Sequence, residues 1–261
     1  MEDDCDRLQT DLDNLTEWSK KWQLQFNTMK CRSLHIGQQS PHYQYHLDGD
    51  MLEEVSEERD LGVIIDSQLK FHSQAASAVL KASRVLATIR RTFVHRDKDN
   101  IKRLYKSLVR PILEYANGIW YPRYASDLKA IEKVQRRATK LVPTLKEMDY
   151  GRRLHAMKLP SIKYRLRRGD MIQTYKIMHG IDNVNKDLFF TSATTQATRG
   201  HPYKLFMRRS RLSVRQNAFS VRVVSDWNSL PAEVVTASTI NGFKTKLDKF
   251  WSAWHYVHAW E

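Results

Sequence analysis

Two kinds of residue in this sequence have types and spacings that could do chemistry: carboxylates set side by side, and lysines and arginines set at helical intervals. Asp3-Asp4 has the form of the paired aspartates that hold two metal ions for phosphoryl transfer. Such a pair needs a rigid turn between apolar strands. Here Leu8, Leu12, Leu15, Trp18 and Trp22 follow at helical spacing over residues 4–22. Acids in a first helical turn suit the positive end of the helix, so the pair reads as a helix start. Asp48-Gly49-Asp50 offers two more carboxylates, but Asp-Gly between Tyr43–Leu47 and Met51–Val55 reads as a hairpin turn. Cys5 and Cys31 supply neither a disulfide framework nor, by themselves, a structural zinc site, and no metal ligand is assigned. HExxH, GxSxG, P-loop and Rossmann signatures are all missing.

The cations carry more. Ile101, Leu104, Tyr105, Leu108, Val109 and Ile112 fall on one helix face, with Lys98, Lys102, Lys106 and Arg110 near the other. After a break at Tyr121-Pro122 the division repeats. Ile131, Val134, Ala138 and Leu141 make an apolar stripe, and Lys129, Lys133, Arg136, Arg137 and Lys140 a basic one. Upstream, Leu86, Ile89 and Phe93 oppose Lys81, Arg84 and Arg91. Three such helices can bury their apolar sides together and leave a basic surface. The net charge of +14 is also unevenly placed: residues 1–80 hold 7 Lys/Arg and 15 Asp/Glu, a net of −8, which leaves +22 for residues 81–261. A cationic excess confined to one part of a chain is the electrostatic footprint of a polyanion partner, above all nucleic acid. The alternative is a solvated face.

The elements that must position these residues read as an α+β fold, mainly helical, with a small antiparallel sheet ahead of the helices. Strands are expected at Ser33–Ile36, on both sides of Gly49, and at Leu61–Ile65. Past the basic helices, a short helix over residues 150–159 stops at Pro160. Another covers 161–179 on Ile162, Leu166, Ile172, Tyr175 and Ile177/Met178, with Arg165, Arg167, Arg168 and Lys176 as further charge. Arg168-Gly169-Asp170 spells an integrin-binding tripeptide, but it lies within that helical pattern. Residues 183–204 are polar and read as a loop or linker, with Thr191–Thr198 at its centre. Arg208–Arg211 could touch RNA, act as an import signal or form a solvated edge. A last helix is expected from Ser238 to Trp254, with Ile240, Phe243, Leu247, Phe250 and Trp254 as its face. No apolar run is long enough to span a bilayer, and no apolar leader follows Met1. The expected place is therefore intracellular, in the cytoplasm or nucleus, without membrane contact; the Asn14-Leu15-Thr16 sequon falls on a helix.

Several stretches together resemble the reverse transcriptase of jockey-like, LINE-type (non-LTR) retrotransposons. They are Leu8–Leu15, Trp18-Ser19, Trp22, Phe26-Asn27, Lys30-Cys31, Asp60–Val63, Leu104–Pro111, Leu113-Glu114-Tyr115, Trp120 with Pro122, Ile131–Lys140, Tyr150, Arg153-Leu154 and Arg167–Asp170. Arg199-Gly200-His201, Arg208–Leu212 and Trp227–Pro231 complete the series. The resemblance covers nearly the whole chain and begins after that family's catalytic Asp-Asp motif. It implies that residues 1–70 are the end of the palm and 71–145 a helical thumb lying along the template–primer duplex. A helical post-thumb segment (146–182), a linker (183–204) and a C-terminal region (205–261) would follow. It further implies that Lys30 stands where such polymerases place a proton donor to pyrophosphate, and that Gly62 lies in the primer-grip hairpin.

On this reading Lys102, Lys106, Arg110, Lys133, Arg136, Arg137, Lys140, Arg167 and Arg168 are the expected contacts to an RNA template or RNA–DNA duplex, because phosphate contacts give affinity without sequence choice. Mg²⁺ would belong to the catalytic motif, so no cofactor is expected here, and the chain alone is expected not to polymerise without an upstream polymerase segment. Two other readings stay open: a degenerate transposon remnant without activity, and a helical protein-interaction module using the aromatic residues of 238–261.

Overall fold

The computed structural model of the chain describes residues 2–37, 40–193 and 201–255. The Thr194–Thr198 part of the polar stretch and Arg199-Gly200 lie outside the described residues. The fold is α+β and mainly helical, and it divides into two compact units, Met1–Ser73 and Gln74–Glu261. Among the described residues no helix is long and apolar enough to cross a membrane.

The first unit opens with α1 (Glu2–Trp22), whose first turn carries Asp3, Asp4 and Asp6. Its packing inverts the expected one. Cys5, Thr16 and Ser19 are the buried residues, while Leu8, Leu15, Trp18 and Trp22 stay exposed, Trp22 at 61%. The inward face is held by polar groups: Gln9 Nε2 donates to the His46 carbonyl at 3.1 Å, Gln9 Oε1 accepts from His46 N–H at 2.9 Å, and Thr16 Oγ1 accepts from Asp48 N–H at 3.2 Å.

In place of one antiparallel sheet there are three two-stranded ladders. β1 (Arg32–Ser33) runs parallel to β4 (Glu53–Glu54), in register Arg32 to Glu53 and Ser33 to Glu54. β2 (His46–Leu47) and β3 (Asp50–Met51) form the hairpin expected around Gly49, with Asp48 and Gly49 at φ +52° and +86°. β5 (Glu57–Asp60) and β6 (Val63–Asp66) form another, and here the expected strand Leu61–Ile65 is corrected. Leu61 and Gly62 are its two turn residues, at φ +45° and +85°, so the chain reverses there and the strand begins at Val63. Cys5, Leu47 and Val63 are the buried apolar side chains of this unit among the described residues, a thin core.

The second unit takes in nearly all of α2 (His72–Thr92), which buries Ala75, Ala78, Ala82, Leu86 and Ile89; Phe93 lies beyond it, exposed. Asp97 caps α3 (Lys98–Leu104), accepting from Asp99 N–H and Asn100 N–H at 2.9 Å each. The helix continues through a π turn over Tyr105–Val109 into α4 (Arg110–Glu114). The buried residues along it are Ile101, Tyr105, Val109 and Leu113, a strict four-residue step. An α-helix advances 3.6 residues per turn and would drift off such a stripe. The wider π turn absorbs the excess and keeps one face inward. The expected stripe is corrected accordingly: Leu113 is buried, Leu104 and Ile112 are half-buried, and Leu108 is exposed.

α5 (Ala125–Thr139) buries Ile131, Val134 and Ala138 as expected, together with Glu132 and Gln135. α6 (Tyr150–Met157) and α7 (Ile162–Met178) are capped by Asp149 and Ser161. Residues 183–193, expected to start a linker, instead carry Phe190 into the core beside Leu205 and Trp227. There α8 (Ser213–Asn217), α9 (Phe219–Asn228) and α10 (Ala232–Val235) lead to α11 (Ile240–Phe250). α11 presents Phe243, Leu247 and then Trp251 inward, so Phe250, expected in that face, is half outside. Of the aromatic residues in this stretch, Phe243 and Trp251 are buried in this core. Asn228 adds a strand-like clasp, accepting from Leu205 N–H at 2.9 Å and donating to its carbonyl at 2.8 Å.

Candidate nucleic-acid interface

The outward side of α5 follows from its spacing: with Ile131, Val134 and Ala138 inward, Lys133, Arg137 and Lys140 must face out, and all three are exposed. Between α2 and the end of α5 lies an open cleft of about 640 Å³, floored by Leu86, Ala87, Leu141 and Pro143. Five cations line it: Arg90, Arg96, Arg137, Lys140 and Lys146. Among the described residues none of the five is ion-paired to a carboxylate. Arg137 reaches only Ser83 Oγ, at 3.5 Å. Arg96 Nε is buried without a hydrogen-bond partner, an unsatisfied donor at the cleft wall. The cationic strip continues along α2, where Arg84, Arg90 and Arg91 border a neighbouring hollow of about 600 Å³ that shares Ala87 and Arg90 with the first. Apolar floor, cationic walls and an open side have the chemistry to hold a phosphate backbone.

The expected contacts distribute unevenly over this geometry. Arg137 and Lys140 line the cleft, and Lys133 lies one turn before Arg137 on the same face. Arg136 is half-buried, with its guanidinium 5.8 Å from the centre of the Tyr150 ring. Lys102, Lys106 and Arg110 form a separate group on α3 and α4. Burial, with Lys102, Arg110 and Arg165 nearby, pushes the Lys106 ammonium below the ordinary lysine range. Arg110 shares Glu114 with Arg165: Arg165 takes the carboxylate by two bonds of 2.9 and 2.8 Å, and Arg110 approaches at 3.7 Å. Arg90, Arg96 and Lys146 were not among the expected contacts. Arg90 follows Leu86 by one turn and could have been found from that stripe, whereas Arg96 and Lys146 lie outside the helices, where no periodicity marks them.

Arg167 and Arg168 are both engaged by carboxylates. Arg167 grips Asp226 by its Nε at 2.9 Å and by its Nη2, and Arg168 grips Asp248 at 2.5 and 2.9 Å. Both forks hold α7 to the helices that follow it. Next to them Gly169 faces Asn117, and a Cβ there would meet Asn117 Oδ1 at 3.2 Å. Asp170 accepts from Arg222 at 2.9 and 3.0 Å, so the Arg-Gly-Asp tripeptide is interior architecture.

Glu132 is fully buried. Its carboxylate accepts from Tyr150 Oη at 2.5 Å and from Ile162 N–H at 2.9 Å, and burial pushes it up to about 7. Gln135 extends the network, accepting from Tyr105 Oη at 2.7 Å and donating to the Pro160 carbonyl at 3.0 Å. These groups join the π turn after α3 to α5, α6 and α7.

Lys30 and Gly62 belong to the first unit. Lys30 is exposed at the end of a 3₁₀ turn (Thr28–Lys30), and Gly62 is at the tip of the β5–β6 hairpin. Asp3 and Asp4 are successive residues of α1, which project about 100° apart and cannot hold two ions between them. This pair therefore does not fit the Mg²⁺ pair of a polymerase. No family model matches the chain, no curated protein matches it in sequence, and no solved structure matches it.

Proposed function

We propose that this chain is the post-catalytic part of a non-LTR retrotransposon reverse transcriptase, acting in the cytoplasm or nucleus. Its second unit would hold an RNA template or RNA–DNA duplex by the phosphate backbone. The observation that carries the reading is the α2–α5 cleft, where five cations stand without acidic partners among the described residues. All the residues that line the cleft except Lys146 fall in the part that resembles the thumb of that family. A polymerase must slide over any sequence, and contacts made only to phosphates permit this. Catalytic aspartates would come from an upstream polymerase segment. The exposed stripe of Leu8, Leu15, Trp18 and Trp22 on α1 is the kind of apolar face such a segment would cover.

The test is a filter-binding titration of the chain against an RNA–DNA hybrid at two salt concentrations. Five phosphate contacts imply a loss of affinity on the order of 10²–10³ between about 50 and 200 mM salt, with little dependence on sequence. A flat salt response, or equal binding by a chain with Arg137→Ala, Lys140→Ala and Lys146→Ala together, would overturn it.

A further inference from the structure

We propose that His35, His42 and Glu54, in the first unit, form a binding site for a first-row divalent cation, with Zn²⁺ the best fit. The site does not depend on the reading of the basic cleft.

The backbone brings the three together from separate short segments of the first unit. In the β1–β4 ladder Ser33 stands opposite Glu54, so their side chains share a face. The Arg32–Glu53 ion pair at 3.1 Å and the bond from Val55 N–H to the Ser33 carbonyl at 2.9 Å hold that register. His35 follows two residues after Ser33, just past the end of β1. The chain comes back through His42 and Tyr45, whose ring stacks on His35 at 6.1 Å and 19°. As a result, one ligand atom from each of His35, His42 and Glu54 lies within 4.8 Å of the other two. This is the one group of three or more such side chains found among the described residues.

Two further observations point to a ligand. First, His35 Nε2 is buried and has no hydrogen-bond partner, although its other nitrogen, Nδ1, meets Ser40 Oγ at 3.0 Å. A buried ring nitrogen without a partner is costly, and a metal ion is a partner it lacks. A hydroxyl on the opposite nitrogen is the support that sets the tautomer and orientation of a ligating imidazole. Second, His42 Nδ1 lies 2.5 Å from Glu54 Oε1, and both side chains are open to solvent, at 62% and 45% exposure. That leaves a path of entry and freedom to adjust. Tetrahedral Zn²⁺ with bonds of about 2.0–2.2 Å needs ligand atoms roughly 3.3–3.5 Å apart. The exposed pair must spread by about 1 Å, within reach of two surface side chains.

The donor set selects the ion. Two imidazoles and one carboxylate suit Zn²⁺ with a fourth position left for water, whereas Ca²⁺ and Mg²⁺ prefer all-oxygen sites. The bound ion would also tie β1, β4 and the intervening chain across a unit whose buried apolar side chains are few, a common remedy where a small core cannot suffice.

The experiment titrates the full chain, first stripped with chelator, with Co²⁺ followed by visible absorption and then with Zn²⁺ in competition. One equivalent of four-coordinate Co²⁺, displaced by Zn²⁺, is expected. His42→Ala and Glu54→Gln alter surface side chains, so the fold should persist by circular dichroism while affinity falls at least roughly tenfold; Ser40→Ala should weaken binding by a similar factor through the ring it positions. Zn²⁺ should slow amide exchange over residues 32–35 and 53–55 in the unaltered chain and not in the variants. Failure to saturate at one equivalent, or equal affinity in the unaltered chain and both ligand variants, would overturn the site.

Discussion

Arginine does opposite work at two places in the second unit. On α2, in the loop after it and on α5, Arg90, Arg96 and Arg137 face a cleft lined by no acid among the described residues. On α7 and α9, Arg165, Arg167, Arg168 and Arg222 each meet a carboxylate across an interface, with Glu114, Asp226, Asp248 and Asp170 as partners. All seven belong to runs that look alike in sequence. What separates them is whether an acid distant in the chain is delivered opposite the guanidinium. A paired, desolvated arginine organises the fold, and an unpaired one keeps its charge for a partner. The basic excess of the chain therefore overstates what it can offer to a polyanion.

The sharpest break of this comparison lies at Arg222–Asp170, where the side chains are 10% and 4% exposed. Arg222 also donates to the Asn117 and Gly118 carbonyls at 3.1 Å each. Asp170→Ala strands a buried cation and should cost about 3–5 kcal/mol in urea unfolding. A loss under 1 kcal/mol would show that this arginine is not structural after all.

Glu132 gives the next effect, through pH. Its folded value, raised to about 7, lies above the ordinary 4.5. The unfolded chain releases this proton first, so stability is highest below pH 4.5, falls between 4.5 and about 7, and is level above that. The interval corresponds to a loss of about 3 kcal/mol. Glu132→Gln should flatten that part of the stability profile; an unchanged slope would assign it to other groups.

Arg167→Ala, at a half-exposed pair, should cost roughly 1–2 kcal/mol and leave the salt dependence of hybrid binding as it was. A change in that salt slope would return Arg167 to the interface. Smallest in stability and most telling in function are Arg137→Ala and Lys140→Ala. Each should stay within about 0.5 kcal/mol of the unaltered chain and lower the salt slope by about one. Clear destabilisation with an unaltered slope would make the cleft another part of the scaffold.

Local pattern carried some elements and failed at others for identifiable reasons. α5 was legible because Ile131, Val134 and Ala138 repeat at helical spacing with Lys133, Arg137 and Lys140 opposite. Glu132 and Gln135 sit in the same helix and are buried too, yet hydropathy places both outside. Their burial depends on Tyr105, Tyr150 and the start of α7 arriving as hydrogen-bond partners. α1 misled in the other direction: its leucines and tryptophans form the clearer stripe, but Gln9 and Thr16 bond to the β2–β3 hairpin and turn that stripe outward. The π turn was invisible, since the inward step of four appears only once Leu113 and not Ile112 is seen to be buried.

By itself the sequence determined that this is a mainly helical α+β chain with acidic and basic parts, and which helices carry cations at regular intervals. Periodicity and charge are properties of neighbours along the chain, so they can be read there. Only the tertiary structure decided which cations remain unpaired, which acids are buried, and that two histidines and a glutamate meet. Those outcomes depend on residues that are not neighbours along the chain coming within a few ångströms, and Coulomb and hydrogen-bond energies are set by that distance.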